Sequence, residues 1–326
     1  MDGRIRFGVL GCSSVARRRT MPAIAACPEA TLSVVASRDP EKAKAFAAEF
    51  GCAAAGYDEL LEHDDVDAVY LPLPTALHGP WGAKVLAAGK HLLVEKPAAT
   101  SADETRELVR AATGADRLLR ENFTFLHHPQ HARVAQLVAD GRIGEPRTFT
   151  GEFCFPPLPD GDIRYVPQLG GGALLDAGVY PLRAAQLLLG DDLRVVGGAL
   201  RMDPQRGVDV AGQALLVSAG GVFASAQFGF QHAYGSRYTL WGSAGRIVVD
   251  RAFTPQATWP PVLRIERQDH VEELTLPPAH QFLGAVASFA AAALAGRTAR
   301  HPAEQAGLAS MVRTAELVDA VRHAAV

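Results

Sequence analysis

An apolar strand that turns through glycine into a helical pattern constrains this chain more than any other feature. RIRFGVLGCSSVARRR, residues 4 to 19, sets Gly11, Ser13 and Ala16 in the places of a G-x-G-x-x-G/A turn, with serine for the second glycine and alanine for the third. The strand predicted over Arg4 to Leu10 is the first of four in the N-terminal part. Leu32 to Ser37, Ala68 to Leu73 and Leu92 to Glu95 follow, and helical patterns start near Val15, at Glu41 (to Phe50), at Gly79 (to Ala88) and at Ala102. Strand and helix alternating at this spacing predict right-handed βαβ units and a parallel, doubly wound sheet of the Rossmann kind.

After Asn122 the pattern changes. A helical stretch over Gln130 to Ala139 leads to a strand near Arg147 to Phe155, a Gly-rich turn and an apolar helix over about Gly172 to Leu189. Seven β-rich runs separated by Gly and Pro follow (Val195 to Arg201, Ala214 to Ser218, Val222 to Phe230, Tyr238 to Trp241, Arg246 to Asp250, Leu263 to Arg267, Glu272 to Leu276), and helices are predicted over His280 to Ala295 and Ala303 to His323. The expected fold class is α/β: an N-terminal Rossmann domain over 1–122, then an α+β domain over 123–326 with a large, mostly antiparallel open sheet. The second domain is expected to bind substrate and to carry oligomerisation, and its C-terminal helix has the option of packing back on the first.

At 326 residues the chain has length for two such cores. Hydrophobic residues at 48%, charged residues at 21% and a net charge of −3 exclude a general electrostatic attraction to nucleic acid or anionic membrane. The Met-Asp-Gly-Arg-Ile start lacks a signal-peptide core, and no apolar run approaches the ~18 residues of a membrane span. Cys12, Cys27, Cys52 and Cys154 are scattered without C-x-x-C spacing, which reads as reduced thiols in a cytoplasmic protein.

The glycine turn implies a dinucleotide. Gly11 supplies the tight turn, Ser13 the close backbone approach and Ala16 the helix packing, so Gly11, Cys12, Ser13, Ser14, Val15 and Ala16 are expected around a pyrophosphate held at the helix N-terminus. Arg18 and Arg19, in the basic run that follows, are expected to face cofactor phosphates. Where sites for NAD place an acidic residue at the end of the second strand, this chain has Ser37 and Arg38, and a guanidinium suits a 2′-phosphate. NADP(H) is therefore the expected cofactor, with Asp39 one place further on as the alternative hand on a ribose.

HLLVEKPAAT, residues 91 to 100, ends a short apolar run on Lys96 before Pro97. Proline pushes the preceding residue toward extended geometry, and an X-Pro bond is where a cis peptide costs little. A strand-end lysine that simply reaches water is the other reading these residues leave open.

Taken with PLPTALH at 72 to 78, ENFTFLHHPQ at 121 to 130 and GGGALLDAGVYPL at 170 to 182, the turn and the EKP at 95 to 97 resemble the Gfo/Idh/MocA family of NAD(P)-dependent sugar oxidoreductases over essentially the whole chain. Thr75 stands where that family often has asparagine, and Tyr180 where many members have histidine; the tyrosine is similar to the glucose-fructose oxidoreductase, dihydrodiol dehydrogenase and deoxysugar ketoreductase branches. GDIRY at 161 to 165, QHAY at 231 to 234, FTPQATWPPV at 253 to 262 and IERQDH at 265 to 270 look most like the NADPH-dependent 3-ketoreductases of nucleotide-linked deoxysugars. The resemblance implies Leu73, Thr75, His78 and Glu95 beside the cofactor, Lys96 delivered next to the nicotinamide, and Lys96 and Tyr180 as the two candidate proton donors for a ketone. Lys96 is expected as the principal donor and charge partner, with Tyr180 orienting the carbonyl or sharing the proton.

Asn122 and Asp176 are expected at the sugar, and Arg164, Tyr165, Tyr234 and Thr254 at its nucleotide diphosphate end, since arginine suits phosphate and aromatic rings stack on a base. Asp176 would equally serve as a buried carboxylate at the start of its helix. His127, His128 and His131 lack an accompanying acidic or cysteine cluster, so no metal is expected. The implied partners are a nucleotide-linked keto-sugar and a second copy, as a homodimer or homotetramer through the C-terminal sheet. Oxidation of a free aldose or a dihydrodiol, and a dinucleotide-binding regulator without chemistry, are the rival functions.

Overall fold

A computed structural model describes residues 3–325; Met1 and Asp2, part of the N-terminus read above, and Val326 lie outside them. The chain divides into two compact units. One runs up to His127 and includes Gln281–Val312; the other holds His128–His280 and the chain from Arg313 onward.

In the first unit the strands are β1 (Ile5–Leu10), β2 (Ala30–Ala36), β3 (Ala53–Ala55), β4 (Ala68–Leu71), β5 (His91–Val94) and β6 (Leu119–Glu121). They pair in the order β3-β2-β1-β4-β5-β6, every pair parallel. The strand order turns back between β1 and β4, the switch point at which open α/β sheets receive ligands. Both faces are covered, which is why these strands read as continuous apolar runs. On one face Phe7, Val9, Tyr70 and Leu93 pack with Val286, Phe289 and Ala290 of the helix Gln281–Leu294. Phe7 and Phe289 meet with ring centroids 5.7 Å apart, and burying a side chain of that size contributes about 1.5–3 kcal/mol. On the other face Leu10, Val34, Val69 and Val94 pack with Val85, Leu86 and Leu108. The helix Gln281–Leu294 thus completes a layer of the first unit although the whole second sheet intervenes in sequence.

The second unit is built on β7 (Pro146–Cys154), β8 (Arg194–Asp203), β9 (Val208–Val217), β10 (Phe223–Gly229), β11 (Gly235–Gly242), β12 (Arg246–Asp250), β13 (Val262–Arg267) and β14 (His270–Thr275), in the order β14-β13-β12-β11-β7-β10-β9-β8. Only β7 and β10 pair parallel; the other pairs are antiparallel, as expected of this sheet. One face packs on the helices Pro129–Ala139 and Val179–Leu189; the other is open. Phe223 and Trp241, 55% and 56% exposed, both pair across Thr148 and make an apolar row on that open face. Among the described residues no helix is long and apolar enough to cross a membrane.

Candidate functional site

In the first unit the turn after β1 is built for close approach. Gly11 has φ +126°, a conformation that strains any residue with a Cβ, and a Cβ there would also stand 2.7 Å from Leu73 Cδ2, so glycine is favoured between β1 and the loop after β4. Ser13 ends the turn as a helix cap: its Oγ accepts from Ala16 N at 3.1 Å and its carbonyl from Arg17 N at 3.1 Å. Ser14 and Val15 are exposed at the helix start, where backbone N–H groups have no partner within the helix. The helix opens with a π turn over Ala16–Thr20 that contains no acidic residue. Cys12 corrects part of the expectation, because its side chain is 7% exposed with the thiol turned to Ala36 O at 3.8 Å; only its backbone faces the turn. Burial also pushes the thiol pKa up. Arg18 is exposed, and Arg19 lies 6.0 Å from the Phe282 ring.

At the end of β2, Ser37 Oγ accepts from Asp39 N at 3.1 Å, and the Asp39 carboxylate caps the next helix by accepting from Glu41 N at 3.0 Å and Lys42 N at 3.3 Å. Both bonds fall on Oδ1, so the helix cap fixes the position of the Asp39 carboxylate. Arg38 is exposed beside the Tyr57 phenol, whose pKa it lowers against the larger upward push of burial. A glycine cradle, free helix-start N–H groups and an exposed guanidinium at the end of β2 fit a phosphorylated dinucleotide.

The ends of β4 and β5 hold a buried polar network. Glu95 accepts from the Tyr70 hydroxyl at 2.7 Å and from Asn122 Nδ2 at 2.7 Å, and Tyr70 accepts from Thr20 Oγ1 at 3.0 Å. The inward turn of Thr20 comes at the end of the π turn. Desolvation raises the Glu95 pKa, opposed by these two hydrogen bonds and by the charge of Lys96. Lys96 follows, half-buried, with the Lys96–Pro97 peptide cis. Thr75 lies in a short turn, Thr75–Leu77, half-buried. His78, expected at the cofactor, is 1% exposed, and both ring nitrogens meet backbone carbonyls, Leu73 O at 2.7 Å and Pro97 O at 2.8 Å. It braces the two loops instead of presenting a nitrogen. Asn122, expected at the sugar, is 3% exposed; its Nδ2 donates to Glu95, and its Oδ1 is buried without a partner among the described residues.

In the second unit Tyr180 starts the helix Val179–Leu189, directly after a π turn over Leu174–Gly178. Its half-buried ring packs against Phe153 and Phe253, with centroids 4.8 and 5.5 Å apart. The glycine run before it is dictated locally: Gly172 has φ +115°, and a Cβ there would collide with the Asp209 carboxylate, which accepts from Leu174 N at 2.6 Å. Asp176 and Arg164, expected to contact sugar and phosphate separately, pair with each other at 2.7 Å, and Asp162 takes a second edge of the guanidinium at 3.2 Å. The two carboxylates neutralise Arg164 and push its pKa further up. Tyr165, expected to stack on a base, is 8% exposed; its hydroxyl accepts from Leu158 N at 3.1 Å and Arg206 covers its ring at 4.3 Å. Tyr234 and Thr254 hydrogen-bond to each other.

The structure adds residues the sequence did not single out: Tyr70 and Thr20 behind Glu95, Phe253 against Tyr180, and Arg251 beside Tyr234 and Trp259. Of the histidines, His131 is spent on Tyr238 and Ala252, and His128 caps its helix by accepting from Gln130 N. Among the described residues no three His, Cys, Asp or Glu side chains gather as a metal site.

A family model described as an oxidoreductase family with an NAD-binding Rossmann fold (GFO_IDH_MocA) matches residues 5–123, and the GFO/IDH/MocA C-terminal domain matches residues 131–248. The chain is 51% identical over 322 residues to a dTDP-3,4-didehydro-2,6-dideoxy-alpha-D-glucose 3-reductase of Saccharopolyspora spinosa, covering 98% of this chain and 97% of that protein. It is 35% identical over 317 residues to a D-xylose 1-dehydrogenase (NADP(+)) of Haloferax volcanii, covering 96% and 95%. The crystal structure of KijD10, a 3-ketoreductase from Actinomadura kijaniata in complex with NADP and TDP-benzene, superposes with a TM-score of 0.95 at 49% identity over 99% of this chain and 98% of that one. The glycine turn, the EKP strand end and the tyrosine helix thus sit in a chain that belongs to the Gfo/Idh/MocA family of oxidoreductases.

Proposed function

We propose that this enzyme uses NADPH to reduce the C-3 keto group of a TDP-linked 3,4-diketo-2,6-dideoxy sugar, in the assembly of a deoxysugar for antibiotic glycosylation. The observation that carries this reading is the 51% identity, over nearly the full length of both chains, to a 3-reductase of that substrate. The likeness to a D-xylose dehydrogenase is weaker at 35%, which ranks free-aldose oxidation second.

NADPH, when bound, supplies the hydride and leaves the proton to the protein. The N–H groups at Ser14 and Val15 would hold the pyrophosphate, and Arg38 the 2′-phosphate. Glu95, fixed by Tyr70 and Asn122, keeps the strand end at Lys96 in place. Lys96 Nζ gives a proton to the carbonyl oxygen and its charge stabilises the developing alkoxide, while the Tyr180 hydroxyl orients that carbonyl. The exposed row of Phe223 and Trp241 supports association of two or four copies through the open sheet face, which sedimentation would measure. A cytoplasmic location suits the four unpaired thiols.

The test is turnover. NADPH consumption with the TDP-linked diketo sugar is expected, against little reduction of NADP by xylose or glucose. Efficient oxidation of a free aldose with no activity on the nucleotide sugar would replace this reading by the second.

A further inference from the structure

The helix that carries Tyr180 has no cap of its own. It begins at Ala173, after Gly170, Gly171 and Gly172, and none of these four residues offers a side-chain oxygen to the helix-start N–H groups. The acceptor comes from another element, 35 residues beyond Leu174. Asp209, in β9, turns its carboxylate onto the helix start, where Oδ2 accepts from Leu174 N at 2.6 Å. Gly172 lies against Oδ1 with no room for a Cβ between them. Among the described residues no basic side chain forms an ion pair with this carboxylate, and Arg322, whose charge it feels, pairs with Asp319 at 3.2 Å. Burial pushes the Asp209 pKa up, opposed by the backbone N–H groups of Leu174, of Asp209 itself and of Ala173 and by the Arg322 charge. A carboxylate in this place also meets the positive end of the helix dipole.

What this cap holds is the π turn over Leu174–Gly178. Such a turn inserts about one residue into the helix, and at about 100° per residue it decides which side chains before and after it share a face. Its far end is held as well: Gly178 lies against the Phe228 ring, where a Cβ would stand 3.0 Å from Cγ and Cδ1. Asp176 lies inside the turn, bonded to Arg164 at 2.7 Å, and Tyr180 follows it directly in the α-helical part. Relaxation to α-helical spacing would rotate Tyr180 relative to Leu174, and with it the ring that packs on Phe153 and Phe253.

We propose that Asp209 is a positioning residue for the reduction: its carboxylate caps the helix from a neighbouring strand and keeps the π turn that aims the Tyr180 hydroxyl. The inference rests on the reading in which that hydroxyl orients the substrate carbonyl. Asp209 acts through the helix backbone, so its loss misdirects an orienting group, which costs rate and leaves the cofactor's own contacts in place.

Steady-state turnover of the TDP-linked diketo sugar tests this in a double-mutant cycle of Asp209→Ala with Tyr180→Phe, melting curves verifying that each variant folds. Asp209→Ala is expected to lower kcat on the order of tenfold, with NADPH affinity changed less than about twofold. Asp209→Asn keeps an acceptor oxygen at the same reach and recovers most of that rate. In the Tyr180→Phe background, Asp209→Ala lowers kcat by less than about a further twofold, since the hydroxyl it aims is gone. Asp209→Ser, too short to reach Leu174, takes the alanine variant's place in the cycle if that chain does not fold. An equal loss in both backgrounds, or an unchanged kcat without the Asp209 carboxylate, overturns this inference alone. A Tyr180→Phe enzyme with wild-type kcat overturns the reading of Tyr180 together with it.

Discussion

The Tyr70 hydroxyl donates to the Glu95 carboxylate at 2.7 Å from a position with no solvent exposure. Removing it with Tyr70→Phe deletes one of the two side-chain donors that hold Glu95 and leaves Thr20 Oγ1 without that acceptor. Loss of a buried partner costs about 1–3 kcal/mol, so the urea midpoint should fall accordingly. The Glu95 pKa, already raised by burial, should rise further, since this hydrogen bond lowers it. An unchanged midpoint would show that the network contributes nothing to the fold.

Arg38 should set cofactor choice. With Asp39 fixed at the helix cap, Arg38→Ala is expected to weaken NADPH by one or two charge-assisted hydrogen bonds, on the order of 2–3 kcal/mol, and NADH far less. Binding of each cofactor, followed by fluorescence, decides it; equal losses contradict the assignment.

Lys96→Ala should lower turnover on the order of 10²-fold or more, because it removes both the proton and the charge. Tyr180→Phe keeps the ring contacts with Phe153 and Phe253, so it should fold and retain measurable activity with near-normal NADPH affinity. Steady-state rates at saturating NADPH compare the two, and an inactive Tyr180→Phe beside an active Lys96→Met would make tyrosine the acid.

Acid should unfold this protein through its histidines. Burial lowers the pKa of His91 and His127 to about 4 and of His131 to about 3. His91 Nδ1 also accepts from Leu118 N at 2.9 Å, a bond that protonation would break. In the unfolded chain these rings titrate near ~6.5, so as pH falls below that value the unfolded state gains protons the native state refuses. Stability is full above pH ~6.5 and is lost on acidification toward pH 4, by up to about 1.4 kcal/mol per pH unit for each such ring. Urea midpoints across pH 7 to 4.5 check this, and His91→Gln should flatten the slope by about one proton.

The parallel sheet was legible because β1, β2, β4 and β5 are largely buried and so largely apolar, with polar residues only at partly buried positions such as Arg6, Ser33 and His91. β3 was not: three alanines, two of them exposed, carry no pattern. β6, Leu119–Glu121, was too short and too charged to read as a strand. The π turns before Met21 and Val179 leave no compositional mark, since they change hydrogen-bond spacing and not burial. In the site, the tight turn at Gly11 could be read from position alone. Arg164 and Asp176 could not, because their mutual pairing depends on a loop that folds twelve residues back on itself. Arg251 was hidden for the opposite reason: left-handed backbone is usually announced by Gly or Asn, and here it falls on an arginine.

The late arrival of the helix Gln281–Leu294 has a consequence for biosynthesis. Phe7 and its strand leave the ribosome near the start of translation, but Phe289, which covers them, is made almost at the end. At about 5–20 residues per second, the apolar face of the first sheet waits on the order of ten seconds or more for its cover. During that interval the nascent chain presents Phe7, Val9 and Tyr70 to its surroundings, a surface for chaperones to guard, and a chain that ends before Gln281 would lack this cover altogether.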